Sequence, residues 1–110
     1  MSTRSSIALL NPDNTITAIY CHSDGYPTGV GAMLKANYAS IAGAKAILAE
    51  GDCSFLDKTI AESRFYNTWR GENTFARSFN SQEDWLKWLG RSDCEYAYLF
   101  SNNEWKVAYE

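Results

Sequence analysis

The residue types with the most chemical capacity gather in one stretch, Cys21-His22-Ser23-Asp24-Gly25-Tyr26-Pro27-Thr28-Gly29-Val30-Gly31. His22 is the only histidine, so any imidazole acid–base or nucleophile-activating chemistry must pass through it. Gly25, Gly29 and Gly31 let the backbone turn sharply and approach a ligand without a Cβ clash. A helix starting after Pro27 presents free N–H groups on which a phosphate or carboxylate can dock. Arg4 can add a bidentate charge-assisted contact, Tyr20 and Tyr26 can stack on a base, and Asp24 completes the cluster. Together these residues point to a site for a small anionic, nucleotide-like ligand. A structural reading fits the same letters: Asp24-Gly25 and Tyr26-Pro27 as turns, Gly29 and Gly31 as points of close helix–sheet packing, His22 with Asp24 as a loop-fixing pair, and Arg4 as a surface side chain.

Other chemistries find less support. No lysine lies between Gly25 and Lys35, so the phosphate-loop order G-x-x-x-x-G-K-[ST] is missing, and the glycines do not follow G-x-G-x-x-G. A nucleotide triphosphatase and a dinucleotide fold are therefore disfavoured. Cys21, Cys53 and Cys94 are odd in number and widely separated, which fits buried thiols rather than a disulfide framework or a zinc site. Cys21, next to His22 in a strand, points to the opposite face. No metal and no cofactor is expected. Glu83 and Asp84 fall in the first turn of a helix, where its dipole accounts for them. The aromatic set Trp85, Trp88, Tyr96, Tyr98, Phe100, Trp105 and Tyr109 has acids interspersed with its Lys and Arg, so core packing outweighs a nucleic-acid platform. Arg64, Arg70 and Arg77, with Trp69 and Tyr66, fit either an anion or protein contact or a solvated loop.

The elements that must position these residues follow from local pattern. Residues 4–22 read as a β-hairpin around Asn11-Pro12-Asp13-Asn14. Pairing Leu10 with Thr15 sets Ile7 beside Ala18, Ser5 beside Tyr20 and Arg4 beside Cys21, with His22 near Arg4. After Pro27 the spacing becomes helical, with Val30, Met33, Leu34, Asn37 and Tyr38 on one stripe. Ser40 caps a second helix with Ile41, Ala44, Ile47 and Leu48 inward and Gly51 as its left-handed stop. Residues 52–80 hold neither period, which predicts irregular structure with one short strand. Ser81 caps a third helix with Trp85, Leu86, Trp88 and Leu89 inward and Gly90 past its end. A second hairpin, Cys94 to Phe100 and Trp105 to Tyr109, turns at residues 101–104 and pairs Phe100 with Trp105, Tyr98 with Val107 and Tyr96 with Tyr109. The expected fold is α+β, an antiparallel sheet built from two hairpins with about three helices packed on one face.

Composition sets the outer bounds. The chain has 110 residues, a formal net charge of −3, 45% hydrophobic and 15% aromatic residues. That describes one domain, 1–110, able to bury roughly two-thirds of its unfolded surface without metals or disulfides. The acidic balance excludes a broad nucleic-acid surface. With no apolar run near the roughly 20 residues of a membrane span and no signal-like N-terminus, no membrane association and a cytosolic location are expected.

The opening Met1-Ser2-Thr3-Arg4-Ser5-Ser6-Ile7-Ala8, the segment Tyr20 to Gly31 and the ending Tyr96-Ala97-Tyr98-Leu99-Phe100 with Trp105 resemble a family of small phage and prophage proteins. Members of that family commonly begin M-[SG]-T-R-S-x-I, carry Y-C-H-W-D-G-Y-P-x-x-V-G and a G-D motif like Gly51-Asp52, and end in Y-x-Y-L-F…W. Ser23 departs from the pattern, which often has Trp there. The resemblance implies a phage accessory protein, of a kind that often disables a host defence by binding a component or capturing its signal. The expectation is a non-enzymatic protein that sequesters a nucleotide-like signal through Arg4, Tyr20, His22, Asp24, Gly25, Tyr26, Gly29 and Gly31, with a homo-oligomer completing the pocket. A protein-binding inhibitor of a host nuclease or CRISPR effector is the alternative, and a nucleotide-modifying enzyme using His22 is a third.

Overall fold

In the computed structural model, which describes residues 2–110, the runs on either side of the first turn pair antiparallel as β1 (Ser5–Leu10) and β2 (Ile16–Cys21). The register differs by one residue from the sequence expectation: Leu10 faces Ile16 rather than Thr15, and Ser5 faces Cys21. The turn accounts for the difference. Asn14 adopts a left-handed φ of 69°, its N–H donates to the Asn11 carbonyl, and the Asn11 N–H donates to the Thr15 carbonyl. The turn therefore closes on the Asn11–Thr15 pair, and a three-residue loop with its last residue left-handed is a favoured hairpin solution. The shift sorts the faces by size, setting Ile7 against Ile19 and Ala8 against Ala18.

The second hairpin, β6 (Tyr96–Ser101) and β7 (Glu104–Tyr109), turns on Asn102 and Asn103 at φ of 51° and 63°, as the two asparagines suggest. Phe100 pairs with Trp105 and Tyr98 with Val107. A bulge then sets Ala97, not Tyr96, against Tyr109. β6 runs parallel to β1, from Ser5 opposite Tyr96 to Leu9 opposite Phe100. The sheet is thus mixed rather than antiparallel, with seven strands among the described residues.

Both faces are covered, not one. Ile7, Leu9, Ile19, Cys21, Tyr98 and Phe100 form a core with Val30, Leu34, Tyr38, Ala44 and Ile47 from the segment that follows β2. That segment winds as a π-helical turn at Pro27–Gly31, continues as α1 (Ala32–Asn37) and leads to α2 (Ile41–Ala49). Ser40 Oγ accepts the Gly43 N–H at 2.9 Å and Gly51 takes φ +83°, matching the expected cap and stop, whereas Ile41 stays 48% exposed. On the opposite face Ala8, Ala18 and Ala97 leave room for Trp85 and Leu89 of α4 (Gln82–Arg91). The Trp85 indole donates to Ser6 Oγ at 3.1 Å. Ser81 caps α4, accepting the Asp84 N–H. Gly90 lies inside α4 instead of ending it, because Ser92 caps the C-terminus and Asp93 takes the left-handed φ of 59°.

Residues 52–80 hold more order than their pattern predicts: β3 (Cys53–Phe55), β4 (Arg64–Phe65), α3 (Tyr66–Arg70) and β5 (Arg77–Phe79). With α3 the α-helices among the described residues number four, against the three expected. β3 and β5 share the outer edge of β2: β5 takes Ile16 to Ala18 and β3 takes Cys21. Between them Asp52 serves as a substitute strand, its carboxylate accepting the Tyr20 N–H at 3.0 Å. Arg77 of β5 clamps that carboxylate through both guanidinium nitrogens, at 3.1 and 3.4 Å, while stacking 5.0 Å from the Trp88 centroid. Thr74 Oγ1 accepts the Asp52 N–H, and the Asn67 carboxamide bonds the Thr74 backbone and hydroxyl. These polar ties, rather than apolar periodicity, order the segment.

Removing the 7%-exposed Asp52 strands a backbone N–H and frees Arg77. Asp52→Ala is expected to cost about 2–4 kcal/mol and Arg77→Ala about half as much, since a half-exposed guanidinium is partly screened. Urea unfolding of both single variants and the double variant checks this, with a double-variant loss well below the sum of the two.

Candidate functional site

Beyond Cys21 the strand character continues: the His22 N–H donates to the Cys53 carbonyl and the Ser23 N–H to that of Ser54. Alternation then turns Cys21 into the core beneath α1 and α2 and leaves His22 on the other face. Continuing the β1–β2 register puts Arg4 opposite His22. The Arg4 carbonyl accepts the Glu95 N–H just ahead of β6, which brings Asp93 and Glu95 alongside. Ser2, Arg4, His22, Asp93 and Glu95 line one cleft of about 390 Å³.

His22 is oriented from below. Its Nδ1 shares a 2.7 Å hydrogen bond with the Tyr20 hydroxyl, and the two rings lie 6.0 Å apart, tilted. The Tyr20 N–H is the one held by Asp52. Burial pushes the Tyr20 phenol up to about 12, with the Arg4 charge pulling the other way. Arg4 Nη1 pairs with Asp93 at 3.5 Å between side chains 42% and 79% exposed. Such an exposed pair is worth about 0–1 kcal/mol, so Arg4 can exchange partners at small cost.

The remaining residues of the expected site go elsewhere. Asp24, at a left-handed φ of 55°, lines two neighbouring hollows. One, of about 450 Å³, is mainly apolar, with Gly29, Val30, Met33, Ala36 and Leu56 on its wall. The other, of about 580 Å³, is polar and shares Ser2 with the Arg4–His22 cleft. Tyr26 donates its hydroxyl to the Asp24 carboxylate at 3.0 Å, and that bond raises its phenol pKa. Gly25 and Gly31 serve close packing. A Cβ on Gly25 would meet Ser5 and the Thr3 carbonyl at 2.8 Å, and one on Gly31 would meet Tyr98 at 3.0 Å. The structure therefore unites Arg4 and His22 with Tyr20 beneath them, and sets Asp24, Tyr26 and Gly29 around a separate loop.

Sequence reasoning missed Asp93 and Glu95 as cleft residues and Asp52 as a support. The Gly51-Asp52 pair was the available signal. Cys21, Cys53 and Cys94 are free and buried, and Cys21 and Cys53 are register partners. A thiol–thiol hydrogen bond, then burial, raises the Cys53 pKa. Among the described residues no three His, Cys, Asp or Glu side chains cluster as metal ligands, and no helix is long and apolar enough to cross a membrane. Compared with protein-family models, curated proteins and solved structures, the chain matches none.

Two outcomes follow. A Cβ on Gly29 would lie 2.2 Å from the Asp24 carbonyl oxygen, a backbone atom with no freedom to retreat. Gly29→Ala is expected to cost about 2–4 kcal/mol by chemical denaturation, well above an ordinary surface substitution. Because folding raises the Tyr20 pKa above its unfolded value near 10, its contribution is present below about pH 10 and lost as pH climbs toward 12. Melting temperatures across that window should fall less steeply in Tyr20→Phe than in the parent chain.

Proposed function

We propose that the chain is a non-enzymatic binding protein that captures a small nucleotide-like ligand in the Arg4–His22 cleft. The observation that carries this reading is the convergence of an exposed, weakly paired guanidinium and a braced imidazole on one open cavity. Its volume, about 390 Å³, lies within the usual 300–1,000 Å³ of small-ligand sites. Asp93 and Glu95 narrow the ligand class. A simple anion would face two carboxylates, whereas a ligand carrying both an anionic group and N–H donors satisfies both walls. A purine nucleotide has that pattern: its phosphate would replace Asp93 on Arg4, and its ring amine would donate to Asp93 and Glu95.

The resemblance to phage and prophage proteins supports placing this capture in counter-defence, with a host signal nucleotide as the ligand. The cleft is open, and a second copy of the chain closing over it would raise ligand enclosure.

Titration calorimetry with purine nucleotides, cyclic dinucleotides and ADP-ribose tests the reading. Binding is expected for at least one of them, weakened about tenfold or more by Arg4→Gln, with the ligand recovered unaltered on heating. Absence of heat with every compound at protein concentrations well above micromolar contradicts it, and a converted ligand would assign turnover in place of capture.

A further inference from the structure

Outside the cleft, α3 carries a group of side chains that neither core absorbs. Trp69 is 45% exposed. The Arg70 guanidinium carbon lies 4.5 Å from the Trp69 ring centroid and that of Arg64 lies 5.2 Å from it. Arg70 also sits 5.5 Å from the Tyr66 centroid. Phe75, on the loop between α3 and β5, is 70% exposed. That loop is braced: the Asn67 side chain bonds the Thr74 N–H, carbonyl and hydroxyl. Phe75 is thus next to a fixed point, with most of its ring left in solvent rather than buried.

The charges on this face are available. Among the described residues Arg64 makes no ion pair, and Arg70 makes one with Glu72, at 3.9 Å between side chains 57% and 44% exposed. Stacking on an indole fixes a guanidinium plane while leaving its N–H edges free for carboxylates. Tryptophan, tyrosine and arginine are also the residues most enriched where protein partners bind tightly. A nucleic-acid partner fits poorly, because no basic track extends from the two arginines and the chain carries a net −3.

We propose that the α3 face, formed by Arg64, Tyr66, Trp69 and Arg70 with Phe75 nearby, docks an acidic polypeptide segment bearing aromatic side chains, supplied by a partner protein. Carboxylates of the segment engage the stacked guanidiniums, and its rings cover Trp69 and Phe75. The proposal is independent of ligand capture at Arg4 and His22.

Fluorescence anisotropy with a short fluorescein-labelled peptide of Asp, Phe and Gly, against a counterpart with Asn in place of Asp, tests it on the full chain. The acidic peptide is expected to bind at least about tenfold tighter than its neutral counterpart, with affinity falling as salt rises. Trp69→Ala and the double substitution Arg64→Gln with Arg70→Gln should each weaken binding about tenfold or more. The double substitution keeps the test valid should Trp69→Ala disturb folding, and Arg4→Gln should leave peptide binding unchanged. Equal affinity for both peptides, or binding indifferent to these substitutions, overturns the proposal. Tighter binding of an oligothymidylate would assign the face to nucleic acid. Self-association abolished by Trp69→Ala would assign it to a second copy of the chain, and either result also overturns the proposal.

Discussion

The outer edge of β2 poses the problem on which much of this structure turns. Two different strands pair with it, β5 along Ile16 to Ala18 and β3 at Cys21, and neither supplies an acceptor for the Tyr20 N–H between them. A buried N–H without a partner costs about 1–3 kcal/mol, and one at a junction also leaves two short strands without a common reference. Asp52 supplies the acceptor from its side chain, and Arg77 neutralises the charge so introduced. One carboxylate thereby ties β2, β3 and β5 together, while its own backbone ties in Thr74 and Tyr66.

The candidate cleft lies downstream of that tie. Tyr20, with its backbone held by Asp52, reaches His22 through its hydroxyl. His22 faces Arg4 across the end of the first hairpin, and Arg4 bonds the chain entering β6. The cleft therefore draws on three neighbouring strands of the sheet, and its two basic groups come from rigid or semi-rigid backbone rather than from a free loop. The glycines of the adjoining loop act in support. Gly25 brings the loop against Ser5 and Gly31 against Tyr98, whose hydroxyl donates to the Gly25 carbonyl at 2.7 Å. Their freedom is used to seat the loop on the sheet, leaving the ligand chemistry to Arg4, His22, Asp93 and Glu95.

What the sequence disclosed was what local rules govern. Ser40 and Ser81 cap as their positions indicate, Gly51 turns left-handed, and Asn102-Asn103 forms the tight turn. The proximity of Arg4 to His22 was also legible, although through a register one residue away from the observed one. The parallel ladder of β1 with β6 was hidden, because it joins residues far apart in the chain and leaves no local trace. Coverage of both faces was masked for a related reason: Ala8, Ala18 and Ala97 look indifferent until Trp85 is placed on them. Residues 52–80 resisted reading because hydrogen bonds of Asp52, Asn67, Thr74 and Arg77 order them, and such bonds have no period. Asp93 and Glu95 belong to the cleft only through the β1–β6 pairing.

Native-state hydrogen exchange at the Tyr20 amide probes most directly the claim that the Asp52 carboxylate completes the β2 edge and holds up the cleft. In the parent chain that amide should be protected nearly as well as the central amides of β1. In Asp52→Ala, which removes the acceptor, measured where the fold persists, it should exchange much faster while the β1 amides keep their protection and the His22 ring resonances shift. An unchanged Tyr20 exchange rate in that variant would contradict the account.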